Sequence, residues 1–285
     1  MWSPVVLPFL FAAALPAGGP SHAAVWPPPA PAGMTQVGPG QYRPVYPVDD
    51  AAKVQTRQAF WLDVRPVTNA EFTAFVQRQP RWRRDKVARL FADTGYLEHW
   101  PKPDQSTDRH LRKSKHEVLR RPVVHVSWFA AKAYCQARGA RLPTADEWDF
   151  AAAAGPTSAD GRNDPAWRER ILHWYSRPAS GPLPQVGQTD ANFWGVRDLH
   201  GVVWEWVLDF SSNLVANDDR EAGDSVLLRF CGAGALSAQD KTDYASLMRI
   251  AFRSSLRAHY TSAALGFRCA ADIPHVPSSG KVTRP

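Results

Sequence analysis

Twice in this chain a threonine stands three residues ahead of a glutamate at the start of an apolar run, as Thr68-Asn69-Ala70-Glu71 and as Thr144-Ala145-Asp146-Glu147. In that spacing the threonine hydroxyl accepts a backbone N–H of the first turn while the glutamate reaches back to the threonine amide, so each tetrad starts a helix at a defined residue. The first predicts a helix on which Phe72, Phe75 and Val76 recur at i, i+3 and i+4 as one core-facing stripe. The second predicts a helix over 145–154 stopped by Gly155, with Asp146 and Glu147 at the positive end of its dipole. A third is expected over 128–138, capped by Ser127 and closed by Gly139. Elsewhere 25 prolines and 18 glycines break the chain. Only short β-type runs fit between them, at 34–46, 121–126, 202–207 and 227–230. Beyond Gly155 the chain reads as largely irregular. Few helices, many loops and 12 tryptophans to fill a core predict an α+β domain of low regular secondary structure.

The 34 basic and 27 acidic residues leave a formal charge of +7. Residues 78–121 hold 13 basic and 6 acidic side chains, so this one stretch carries the entire excess. With three prolines and little apolar period, it reads as a long basic surface insertion. Acids interrupt the run and its few aromatics do not make an interleaved stacking set, which argues against nucleic-acid binding. An anionic protein or envelope surface suits it better. His99, His110 and His116 within it match no compact metal spacing and read as solvated.

Residues 5–14 form a short apolar run, and Ser21-His22-Ala23 follows it as a small-residue cleavage site. Residues 1–23 are therefore expected to be a secretory signal peptide, with a Pro-rich linker over 24–33. No later stretch approaches the roughly 18 apolar residues of a membrane helix. The expected location is periplasmic or secreted. In such a compartment two of Cys135, Cys231 and Cys269 are expected to pair, and composition leaves all three pairings open.

The stretch 121–155, RPVVHVSWFAAKAYCQARGARLPTADEWDFAAAAG, resembles the central signature of the formylglycine-generating enzyme (sulfatase-modifying factor) superfamily. NFWGVRDLHGVVWEWVLD at 192–209 resembles its second signature, and Leu265-Gly266-Phe267-Arg268-Cys269-Ala270 its closing one. Met34-Thr35-Gln36-Val37-Gly38-Pro39-Gly40 and Pro66-Val67-Thr68-Asn69 match the opening blocks. The resemblance implies one C-type-lectin-like domain over 34–272, followed by a flexible tail at 273–285. It also implies a disulfide between Cys135 and Cys269, leaving Cys231 as the odd thiol. By position it implies a structural Ca²⁺ loop, with Asp198 and Glu205 giving carboxylates and Gly201 and Val203 giving carbonyls. The competing reading has Asp198 cap a turn and Glu205 pair with an arginine.

Members of that superfamily with oxidase activity bind copper through a cysteine pair and oxidise a substrate cysteine with oxygen. The corresponding segment here, GAGALSAQDKTDYASLMRIAFRSS at 232–255, contains no cysteine. Aligning Arg249 and Arg253 with the family's arginines puts Asp240 and Ala245 in the two slots, and neither replaces a thiolate for Cu(I). The copper chemistry does not carry over. Candidates for the cleft are Asp240, Tyr244, Arg249, Arg253 and Cys231, the last read first as a small apolar strand residue. His200 is a further cleft-lining candidate or a turn residue bonded to backbone. The resulting expectation is an exported protein that modifies or matures a periplasmic protein or peptide client. Phe230-Cys231-Gly232-Ala233-Gly234-Ala235-Leu236-Ser237 looks most like the members associated with copper nitrite reductase. The alternative is a non-catalytic, lectin-like scaffold.

Overall fold

The structure, a computed structural model, describes residues 29–43, 54–100, 117–176, 181–210 and 244–274. Strands β1 (Met34–Val37), β4 (Phe60–Asp63) and β7 (Ala270–Asp272) form an antiparallel sheet in the order β1-β4-β7. The central strand, β4, is buried at all four positions. Two smaller sheets flank it. β2 (Gly40–Tyr42) pairs antiparallel with β3 (Gln55–Arg57), and β5 (Trp204–Trp206) pairs parallel with β6 (Leu265–Phe267), with Glu205 opposite Gly266. The helices are α1 (Asn69–Arg78), α2 (Trp128–Ala137), α3 (Ala145–Ala152), α4 (Pro165–Ser176) and α5 (Tyr244–Ser254). The arrangement is α+β, and loops make up much of it.

Both capping boxes are formed. Glu71 Oε2 accepts from the Thr68 amide at 2.8 Å and Glu147 Oε2 from the Thr144 amide at 2.8 Å, while each threonine hydroxyl accepts the glutamate N–H. Ser127 caps α2 through the Ala130 amide. The stripe of α1 meets Tyr134 of α2 and Phe267 of β6, where Phe72, Phe75, Tyr134 and Phe267 pack with ring centroids 5.3–6.1 Å apart. Cys135 of α2 is joined to Cys269, between β6 and β7, by a disulfide. Asp63 reinforces the junction by accepting from the Cys269 amide and from both terminal nitrogens of Arg138.

Several expectations are corrected. No strand forms over 121–126. Proline has no N–H to donate to a ladder, so Pro122 makes only an isolated bridge to Thr68, and His125 adopts a left-handed φ of 54°. The expected strand at 202–207 contracts to β5, and the one at 227–230 lies outside the described residues, as does the signal segment. The helix from 145 ends at Ala152, and the supposedly irregular stretch after Gly155 contains α4. Trp167, Ile171, Trp174 and Tyr175 recur there at i, i+4, i+7 and i+8, a helical stripe of which only Ile171 is buried. The basic stretch is not simply a surface insertion. Its Trp82, Ala92, Tyr96 and Leu97 belong to the main core, the Tyr96 hydroxyl donates to the Trp82 carbonyl at 2.9 Å, and Asp93 accepts from the Thr261 amide at 3.0 Å. Residues 101–116, with His110 and His116, lie outside the described part. His99 is exposed, with Nε2 3.3 Å from Asn69 Oδ1.

Candidate functional site

Parallel pairing of β5 with β6 sets Glu205 beside the chain that carries Arg268, and it depends on a glycine. A Cβ at Gly266 would lie 2.7 Å from the Val123 carbonyl oxygen and 3.2 Å from Val203 Cγ2, so only glycine permits this approach. Arg268 and Glu205 are 0% exposed at their side chains. Arg268 Nε donates to Glu205 Oε2 at 2.7 Å and Nη2 to Oε1 at 2.8 Å. Its remaining donors reach the carbonyls of Asp63 and Arg197 at 3.1 and 3.0 Å. Trp148 of α3 completes the carboxylate, with Nε1 2.6 Å from Glu205 Oε2. A buried charge pair is tolerated when its donors and acceptors are matched in this way.

Trp148 is also the platform of the neighbouring cleft. Arg249 and Arg253, one turn apart on α5, both lie over its ring, with guanidinium carbons 5.1 and 4.9 Å from the centroid. Both donate to Asp149 Oδ1 at 3.3 Å, so a single carboxylate of α3 holds both arginines. Beside them Trp204 stacks on Phe252 at 4.5 Å and meets Trp174 and Tyr175 of α4 at 5.9 and 5.3 Å. The cleft is thus an aromatic wall with two fixed cations. His200 packs edge-on against Trp148 at 5.9 Å and donates from Nε2 to the Ala152 carbonyl at 2.8 Å. Burial, then the charge of Arg249, pushes its pKa down to about 3. Its imidazole is held neutral and forms part of the wall. Trp148, Arg249 and Arg253 are buried and paired within the protein, so the face left to a ligand is that of the half-buried Trp174, Tyr175 and Trp204.

Of the sequence-derived candidates, Arg249 and Arg253 are brought together here. Tyr244 opens α5, while Asp240 and Cys231 lie outside the described residues. The loop holding Asp198, Gly201, Val203 and Glu205 does not fit a calcium ion bound by both carboxylates. Asp198 is turned toward residues 187–189, where it accepts from the Gly187 amide, the Thr189 amide and the Thr189 hydroxyl. Glu205 has only one acceptor site left beside Arg268 and Trp148. One carboxylate oxygen and two carbonyls would leave water to supply at least half of the six to eight oxygens calcium takes. Sequence reasoning missed Asp149, Trp174 and Tyr175. Asp149 sits inside a quoted signature, and Trp174 and Tyr175 belong with Trp167 and Ile171 to an apolar series at i, i+4, i+7 and i+8 that could have announced α4.

The family model described as "Sulfatase-modifying factor enzyme 1-like domain" matches residues 27–273. A formylglycine-generating enzyme of Streptomyces coelicolor is 30% identical over 272 residues, covering 80% of this chain and 83% of the relative. The inactive C-alpha-formylglycine-generating enzyme 2 of Mus musculus is 30% identical over 255 residues, covering 77% of each. A hercynine oxygenase of Mycolicibacterium smegmatis is 31% identical over 161 residues, which is 50% of this chain and 35% of that protein.

Proposed function

The chain belongs to the sulfatase-modifying factor enzyme 1-like family, and within it we propose an exported protein that holds and matures a periplasmic protein or peptide client without copper-dithiolate oxidation. One observation carries this reading. The chain has three cysteines, and the disulfide between Cys135 and Cys269 takes two of them. Cys231 alone cannot supply the paired thiolates that suit Cu(I). What supports a binding role in the described residues is a half-buried aromatic face of Trp174, Tyr175, Trp204 and Phe252, backed by the buried Arg249 and Arg253. The stretch 230–237 resembles the members associated with copper nitrite reductase, which makes that enzyme the first client to test. A non-catalytic role is the second reading, and the inactive relative at 30% identity favours it.

The test separates binding from chemistry. Mass spectrometry of a cysteine-containing sulfatase peptide, incubated with the copper-treated full chain and oxygen, is expected to show no formylglycine. Conversion over many turnovers would sink the reading and make Cys231 the first residue to substitute. In parallel, immobilised protein is expected to retain purified copper nitrite reductase, with retention weakened by Trp204→Ala. Retention of an unrelated periplasmic protein to the same extent would reject that client.

A further inference from the structure

A second concavity of about 530 Å³ opens beside the aromatic–arginine cleft, sharing Leu199 with it. Ile171, Val196 and Leu199, all buried, supply the apolar part of its inner surface. Trp167 forms a side wall and meets the His200 ring at 5.7 Å and 88°.

The polar side chains deep in this lining are engaged by the protein itself. Asn192 donates to the Ala151 carbonyl and accepts from the Trp194 and Val196 amides. The Thr189 hydroxyl donates to Asp198 and accepts from the Asp198 amide, and the Asp198 carboxylate faces the 187–189 loop. His200, donating from Nε2 to Ala152, keeps a bare Nδ1 that is closed off from solvent. The interior therefore rewards an apolar group and offers a polar one little.

The rim is different. Arg170 and Asp190 line the opening, both exposed, and neither side chain has a hydrogen-bond or ion-pair partner among the described residues. A ligand matched to this cavity carries an apolar side chain for the interior and two opposite charges for the rim. We propose that the cavity binds a small zwitterionic peptide or amino acid, seating an apolar side chain between Trp167 and Leu199, its ammonium toward Asp190 and its carboxylate toward Arg170. A cavity of this volume has room for a dipeptide. The proposal is independent of the client assigned to the neighbouring cleft.

The experiment is isothermal titration of the full chain at pH 6.5 with L-phenylalanyl-L-leucine, its N-acetyl form and its C-terminal amide. At that pH the free dipeptide carries both charges and each blocked form carries one. Saturable binding of the free dipeptide is expected, with acetylation and amidation each weakening it by about two- to fivefold, the range of an exposed charge pair. In Asp190→Asn the acetylation penalty is expected to vanish while the amidation penalty stays. In Arg170→Gln the reverse is expected. Both substitutions fall on exposed, unbonded side chains, so an unchanged Tm is the check on folding. Trp167→Leu is expected to weaken all three ligands alike. No saturable binding of the free dipeptide by about 10 mM, a free energy weaker than about 3 kcal/mol, overturns the proposal. So does equal binding of the blocked forms, or penalties that survive in both rim variants.

Discussion

Glu205 and Arg268 show how much one residue's partner decides. Glu205→Ala would leave a guanidinium in the core with no counter-charge, a change that typically costs about 3–5 kcal/mol. The expected outcome is a large fall in Tm that is the same with and without a calcium chelator, and a wild-type Tm that does not respond to the chelator. A chelator-dependent Tm in the wild type alone would restore the calcium loop. His200 is the second residue-scale case. Its folded pKa, pushed down to about 3, lies below the ordinary value of about 6.5. Between those values the unfolded chain binds the proton more readily, so stability rises with pH there and falls as pH drops from about 6.5 toward 3, with a limiting slope of about 1.4 kcal/mol per pH unit. Denaturant melts of the wild type and His200→Gln across that window are expected to converge as pH falls. Parallel curves would show that His200 is not the titrating group.

Among the elements, α5 and β6 are held by different means. α5 is tied to α3 by two arginines on one Asp149 carboxylate and by their contact with Trp148. β6 is held by close backbone approach. Gly266→Ala would press a methyl carbon against the Val123 carbonyl, which backbone cannot relieve by rotating a side chain. A loss of about 1–3 kcal/mol is expected, as for other overpacked sites. Amide exchange should quicken specifically across β5 and β6. Unchanged exchange there would show that the 122–126 stretch can move aside. Helices α1 and α3 were legible because their capping boxes draw on partners within four residues. α4 was missed although Trp167, Ile171, Trp174 and Tyr175 recur at helical spacing, because the glycines and prolines around it read as loop.

At the scale of the whole molecule, the disulfide closes a separation of 134 residues, from α2 to the junction of the two C-terminal strands. In the chain-entropy description a loop of that length stabilises the fold by about 4–5 kcal/mol. Cys135→Ala with Cys269→Ala is expected to lower the denaturation midpoint accordingly, with Cys231 still titrating as one free thiol per chain. A midpoint unchanged by the double substitution would mean that Asp63, Arg138 and the surrounding core hold the junction unaided. By itself the sequence determined where α1, α2 and α3 start, and the family. Its three cysteines also ruled out a thiolate pair once the family's disulfide takes two of them. Those features rest on local hydrogen bonding, on ordered motifs and on counting. Tertiary structure alone decided that Glu205 faces Arg268, 63 residues away, and that Trp82 and Tyr96 of the basic stretch enter the core. It alone brought Trp167, Arg170 and Asp190 around one cavity. Burial and charge pairing depend on which distant segment arrives, and chain closure sets that.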